Sequence, residues 1–280
     1  MKYERTSAPR IAERGFTITE VMVAITLAVF LLMGLFSILQ QSRNANNETT
    51  GLSQLQDDER VAMTILTDTI QQAGYTPTAN GSDQSMFVVD GVFANQGQLF
   101  IGGPGAIVGD KLTLRYVLGV NDTALTCWGT KNTNPGDTVY KEIFEINNTD
   151  GAQGLYCSPS DGNSEHLLVA NVVNLAFQFA VNTTSAGSST PPTSVGPNTE
   201  TSNNMGNGCP ADTYIPTASM LAPDWTNVCA VKVDITFVNP LYQPPGQVNP
   251  TPGQQPYITF ERVIGVRSKG GVNVTTVTQT

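Results

Sequence analysis

The sequence predicts an α+β protein: a long N-terminal α-helix, half membrane-like and half amphipathic, packed on an antiparallel β-sheet head with loop insertions. Three observations carry that expectation. An uncharged, mostly apolar run extends from Val21 to Ser42. No proline interrupts the chain from Phe16 to Tyr75. Beyond it, several runs alternate apolar and polar residues with a period of two.

Composition narrows the function before any motif is read. The chain has 280 residues, 14 Lys+Arg against 23 Asp+Glu, and a formal net charge of −9. Such an acidic chain does not suit the phosphate backbone, so no nucleic-acid partner is expected. A single histidine, His166, argues against a Ser-His-Asp triad and a multi-histidine metal site. Neither GxxxxGK[ST] nor HExxH occurs. The expectation is no enzyme, no cofactor, no catalytic residue and no metal.

Charge is placed asymmetrically. Lys2, Arg5, Arg10 and Arg14 outnumber Glu4 and Glu13 before the apolar run, and acids dominate after it. A membrane-crossing helix needs ~20 apolar residues, and a basic flank stays on the cytoplasmic side. These features predict a single-pass membrane protein with its N-terminus in the cytoplasm and its head exported. The run is longer than the apolar core of an ordinary signal peptide, and no Ala-x-Ala cleavage site follows. A carboxylate, Glu20, heads the run, where burial is costly unless it lies near the interface.

The helical pattern continues past the apolar run. Leu52, Leu55, Glu59, Ala62, Leu66, Ile70 and Ala73 keep a three-four spacing, and Gly74 with Pro77 reads as a stop. About 58 residues at ~1.5 Å each give a helix of roughly 87 Å. In the head, residues 112–118, 173–181 and 231–237 alternate clearly, and 86–93, 139–146 and 257–266 are further strand candidates. Thr183 to Gly208 and the proline-rich stretch Pro240 to Pro256 read as loops. Asp150-Gly151 and Asp161-Gly162-Asn163-Ser164-Glu165 lack EF-hand spacing and read as polar turns. His166 beside them reads as a surface or strand-edge residue.

Cys127, Cys157, Cys209 and Cys229 all follow the membrane segment, and an even number on the exported side predicts disulfides. Four cysteines allow three pairings. Cys127–Cys157 with Cys209–Cys229 is favoured because each bridge closes a short region.

Gly15-Phe16-Thr17-Ile18-Thr19-Glu20 followed by an apolar helix resembles the signal of type IV prepilins and type II secretion pseudopilins. The resemblance implies the pilin fold, the inner membrane as the one crossed, cleavage by prepilin peptidase between Gly15 and Phe16, and N-methylation of Phe16. It also implies that Glu20 is an assembly carboxylate, neutralising the Phe16 amine of an adjacent subunit. The domain reading is then 1–15 leader, 16–42 membrane and filament-core helix, 43–75 amphipathic half, and 76–280 periplasmic head. Within the family, Asp57 to Tyr75, Gly154 to Cys157, Leu167 to Phe179 and Thr259 to Arg267 resemble PilW-like minor pilins and their pseudopilin J-like counterparts. Gln72 stands where that branch carries a basic residue, and Thr76-Pro77 where it often carries cysteine.

That resemblance implies a minor pilin that helps initiate pilus assembly and sits at or near the tip, supporting twitching motility and adhesion. Implied partners are prepilin peptidase, other minor pilins and the major pilin, the inner-membrane assembly platform and a tip adhesin. A type II secretion minor pseudopilin is the alternative. A membrane-anchored periplasmic enzyme or binding protein is a remoter one, because it would need neither Gly15-Phe16 nor Glu20.

Overall fold

In the computed structural model, the described residues are 17–77, 86–120, 122–149, 151–159, 165–182, 209, 211, 213–242 and 255–269. Gly15, Phe16, Thr183 to Gly208 and residues 161–164 lie outside them, as does most of the proline-rich stretch after Tyr242. The chain divides into two compact units, Met1–Gly51 and Leu52–Thr280.

A single helix, α1 (Ile18–Gln72), occupies most of the predicted helical span. From Ile18 to Leu39 its large apolar side chains are all exposed. The helix is long and apolar enough there to cross a membrane. The hydroxyl of Thr26 donates to Met22 O at 2.7 Å, so that polar group is satisfied inside the helix.

The second half of α1 belongs to the head. Leu55, Ala62, Leu66 and Ile70 are buried where the three-four spacing places them, and Met63 and Thr69 are buried beside them. Gly74 ends the helical run at φ +76°, the left-handed conformation of a glycine stop. Its N–H donates to Arg115 O at 3.0 Å, and Val117 N donates to Tyr75 O at 2.8 Å. The chain leaving α1 therefore joins the edge of a strand at once.

The head contains two antiparallel sheets. The first is a meander in the order β1 (Phe100–Pro104), β2 (Asp110–Leu118), β3 (Thr138–Asn147), β4 (Gly154–Pro159) and β5 (His166–Ala170). The second contains β6 (Val172–Val181), β7 (Thr213–Pro216), β8 (Val228–Val238) and β9 (Tyr257–Gly265), in the order β7-β6-β8-β9. The alternating runs at 112–118, 139–146, 173–181, 231–237 and 257–266 fall on β2, β3, β6, β8 and β9.

Period-two alternation makes one apolar face per sheet. Leu112, Leu114, Tyr116 and Leu118 share a face with Phe144 and Ile146 across the β2–β3 register. Phe177, Phe179, Val231, Val233 and Ile235 do the same in the second sheet. Both faces and the buried side of α1 form one core. Asp110 ties the sheets together, as its Oδ2 accepts from Phe177 N at 2.9 Å and the Thr217 hydroxyl at 2.8 Å. Glu59 on α1 meets Arg262 on β9 at 3.9 Å.

The strand expected over 86–93 is not one; the segment is an irregular loop. Side chains take the backbone groups that a ladder would have used. Asp90 Oδ1 accepts from the N–H groups of Val92 and Phe93 at 2.9 and 3.0 Å. Arg115 donates to the carbonyls of Val88 and Phe87 at 2.6 and 3.1 Å. The single sheet implied by the sequence is likewise two. Beyond the expected strands, β1, β4, β5 and β7 are each six residues or shorter.

Candidate functional site

The start of α1 carries the residues on which the prepilin resemblance rests. Gly15 and Phe16 lie outside the described residues, so the site is described from Thr17 onward. Thr17 and Glu20 form a capping box. The Thr17 N–H donates to Glu20 Oε2 at 3.2 Å, and the Thr17 hydroxyl reaches the same oxygen at 3.0 Å. In return, Glu20 N donates to Thr17 Oγ1 at 3.4 Å. The sequence reading gave Glu20 an assembly role and missed this local one, although Thr-x-x-Glu is a recognisable helix-start pattern. The carboxylate also sits in the first turn, where the helix dipole favours negative charge.

Around Glu20 the helix is smooth and apolar. Val21, Ala24, Ile25 and Ala28 line a shallow surface strip on one flank, and Val23 and Leu27 line the other. All are exposed. A single chain thus presents a continuous hydrophobic surface with one acidic group at its head, which water does not favour. Such a surface suits lipid or other apolar helices.

The head holds a second cluster of charge. Arg115 is only 1% exposed. Its guanidinium lies 4.2 Å from the Phe93 ring centre and 5.5 Å from that of Phe87. Its Nε donates to Gln98 O at 2.6 Å, and Asp90 faces it at 3.7 Å. Burial lowers the Arg115 pKa to about 10, against the pull of Asp90. Burial works against Asp90 ionisation, but the Lys141 ammonium and the two N–H donors outweigh it and hold the carboxyl at about 2. This cluster fixes the 86–99 loop over the outer face of the first sheet.

On that sheet's inner face lies a buried carboxyl, Glu142. Its Oε1 accepts from the Tyr116 hydroxyl at 2.6 Å and from Cys127 N at 2.7 Å. Burial raises its pKa to about 7, although both donors oppose the shift. It adjoins one of two disulfides, Cys127–Cys157 and Cys209–Cys229. His166 opens β5 directly opposite Cys157, with its ring edge-on to Trp128. Sequence distance hid this grouping, because β3, β4, β5 and the Cys127 loop meet only through the sheet register. Among the described residues the turn at Glu165 is tied by Asn147 and Thr149, and Thr149 donates to Glu165 Oε2 at 2.6 Å. Asp150 and residues 161–164 of the calcium-like turns lie outside the described residues.

The described residues thus combine a helix whose first half exposes an apolar surface with a second half buried in an antiparallel β head. The chain is 32% identical over 162 residues to the pilin-like protein PilA3 of Thermus thermophilus. That match takes in 55% of this chain and 62% of the relative, so the chain spans less than two thirds of the relative's length. A type IV-like pilin structure from Thermus thermophilus aligns with 77% of this chain and 98% of its own, at 13% identity and a TM-score of 0.37. No family model matches the chain. Over the matched stretch the chain is similar to a pilin-like protein. That similarity does not single out the PilW-like branch.

Proposed function

We propose that the chain is a minor type IV pilin that helps initiate pilus assembly and sits at or near the filament tip. In this reading prepilin peptidase cuts between Gly15 and Phe16, and the new Phe16 amine is methylated. The mature subunit stays in the inner membrane through α1, with its head in the periplasm, until it enters a filament with other pilins. Prepilin peptidase, the other minor pilins, the major pilin and the assembly platform are its partners, with a tip adhesin beyond them. The observation that carries the reading is the exposed apolar half of α1 with Glu20 at its head. Packed among like helices, that carboxylate would be desolvated and would need a cation. The Phe16 amine of a neighbouring subunit supplies one.

The capping box sharpens the test. Glu20→Gln keeps a side-chain acceptor for Thr17 and loses only the charge. Glu20→Ala loses both. Both variants should still be cleaved and remain membrane-bound, because a neutral residue inserts more easily. Both should fail to co-purify with other pilins, and surface pili should fall in a strain lacking the wild-type copy. Normal pilus numbers with either variant would remove the charge from the assembly mechanism.

A further inference from the structure

The inner face of the first sheet brings together three groups that the filament role does not use. The sulfurs of Cys127 and Cys157 and a carboxylate oxygen of Glu142 all lie within 4.8 Å of one another. Glu142 is 1% exposed and Cys157 fully buried, whereas Cys127 is half-buried on its loop. Glu142 Oε1 is taken by Tyr116 and Cys127 N, but Oε2 is buried without a hydrogen-bond partner. An orphaned carboxyl oxygen in a core is costly, and a pair of sulfurs offers it little. It becomes useful when the bridge opens.

We infer that Cys127–Cys157 is an exchangeable disulfide, opened by a dithiol at Cys127, with Glu142 as the acid that protonates the departing Cys157 thiolate. The attacking thiolate bonds to Cys127 Sγ and the Cys127–Cys157 bond breaks, leaving its electron pair on Cys157 Sγ. A thiolate there would be an unpaired charge in an apolar core. Glu142 gives up its proton, so Cys157 becomes a neutral thiol. The second thiol of the reductant then displaces Cys127 as a thiolate, which takes a proton from solvent. The reductant is oxidised to a disulfide by two electrons and the bridge reduced by two. The Glu142 carboxylate regains its proton from solvent.

The surroundings favour a protonated Glu142 near neutrality. Tyr116 of β2 and Tyr140 of its own strand share its face, and burial pushes the Tyr116 hydroxyl well above its usual range. His166 stands across β4 opposite Cys157. The inward positions of β6, Leu175, Phe177 and Phe179, are apolar. Lys141 and Arg115 occupy the other face of the sheet, with Asp90 beside them. Burial therefore dominates, and the carboxyl titrates at about 7. The second bridge is a built-in comparison. Among the described residues, no carboxylate groups with Cys209 and Cys229 in this way.

The test is timed reduction of the full-length protein in detergent by dithiothreitol, with alkylation and peptide mapping to follow each bridge separately. In the wild type, the opening rate of Cys127–Cys157 relative to Cys209–Cys229 should fall as the pH rises through about 7. Taking this ratio cancels the changing thiolate fraction of the reductant. Glu142→Gln should slow Cys127–Cys157 below that pH by about 10²-fold, the range of a lost general acid. The other bridge should be unaffected and the pH dependence should vanish. A misfolded variant would open both bridges faster rather than slow one, and the wild-type ratio then decides alone. A ratio that is flat with pH, or a folded Glu142→Gln protein with the wild-type rate, overturns the inference. The outcome is independent of the pilus role, because it does not involve α1.

Discussion

Arg115 shows how one side chain can replace a strand. Placed on β2 but turned away from the core, it supplies hydrogen bonds to the carbonyls of Phe87, Val88 and Gln98 and lies between two aromatic rings. Arg115→Met keeps much of the stem packing and removes the donors. It should destabilise the head by on the order of 3–5 kcal/mol, since buried carbonyls and Asp90 lose their partner together. Urea unfolding measures this. Arg115→Lys should recover only part, because an ammonium cannot span the same fork of acceptors. None of this was legible in the sequence, where Arg115 is an ordinary polar position in an alternating strand. Glu142 was hidden for the same reason: alternation puts it on the inward face, yet a carboxylate there reads as an error until Tyr116 and Cys127 are seen to hold it. Glu20 was legible for its place before an apolar run, but its capping partner Thr17 passed unnoticed.

At the level of elements, legibility followed hydrophobic period. The helix, the three strands with clear alternation and the candidates over 139–146 and 257–266 were readable because each buries one face. The irregular segment over 86–93 was misread because its apolar residues, Phe87 and Phe93, are buried without any ladder. Strands β1 and β7 escaped because five and four residues give too few turns of the pattern. The disulfide pairing favoured by loop length is the pairing in the structure. The helix stop was readable and is structurally demanding. A Cβ at Gly74 would lie 2.6 Å from both Leu99 Cδ1 and Ser268 Oγ, at a φ of +76°. Gly74→Ala should therefore cost about 1–3 kcal/mol and lower the melting temperature. Its signature should be early hydrogen exchange at Gly74 and Val117, whose N–H groups join the helix exit to β2.

For the whole head, two carboxyls set opposing pH limits. Asp90 is held at about 2, below its usual value. Its contribution is present above the unfolded pKa of ~4 and is lost as the pH falls through about 2. Glu142 works the other way. Its folded pKa of about 7 lies above the unfolded one, so folding favours the neutral form. No penalty applies below pH ~4; it grows up to about 7 and is constant beyond, at roughly 3 kcal/mol. Denaturant midpoints should thus decline between pH 5 and 8 in the wild type and much less in Glu142→Gln. Equal slopes would show that another group controls the alkaline side. The exit from α1 has a mechanical consequence as well. The helix hands the chain to β2 through Gly74 and Tyr75, and Ser268 braces the last carbonyls by donating to Ala73 O at 2.8 Å. Tension applied along α1 would therefore load Gly74 N–Arg115 O and Val117 N–Tyr75 O together, before reaching the loops. The head is thus gripped at the second strand of its first sheet, with force divided between two bonds rather than carried by one.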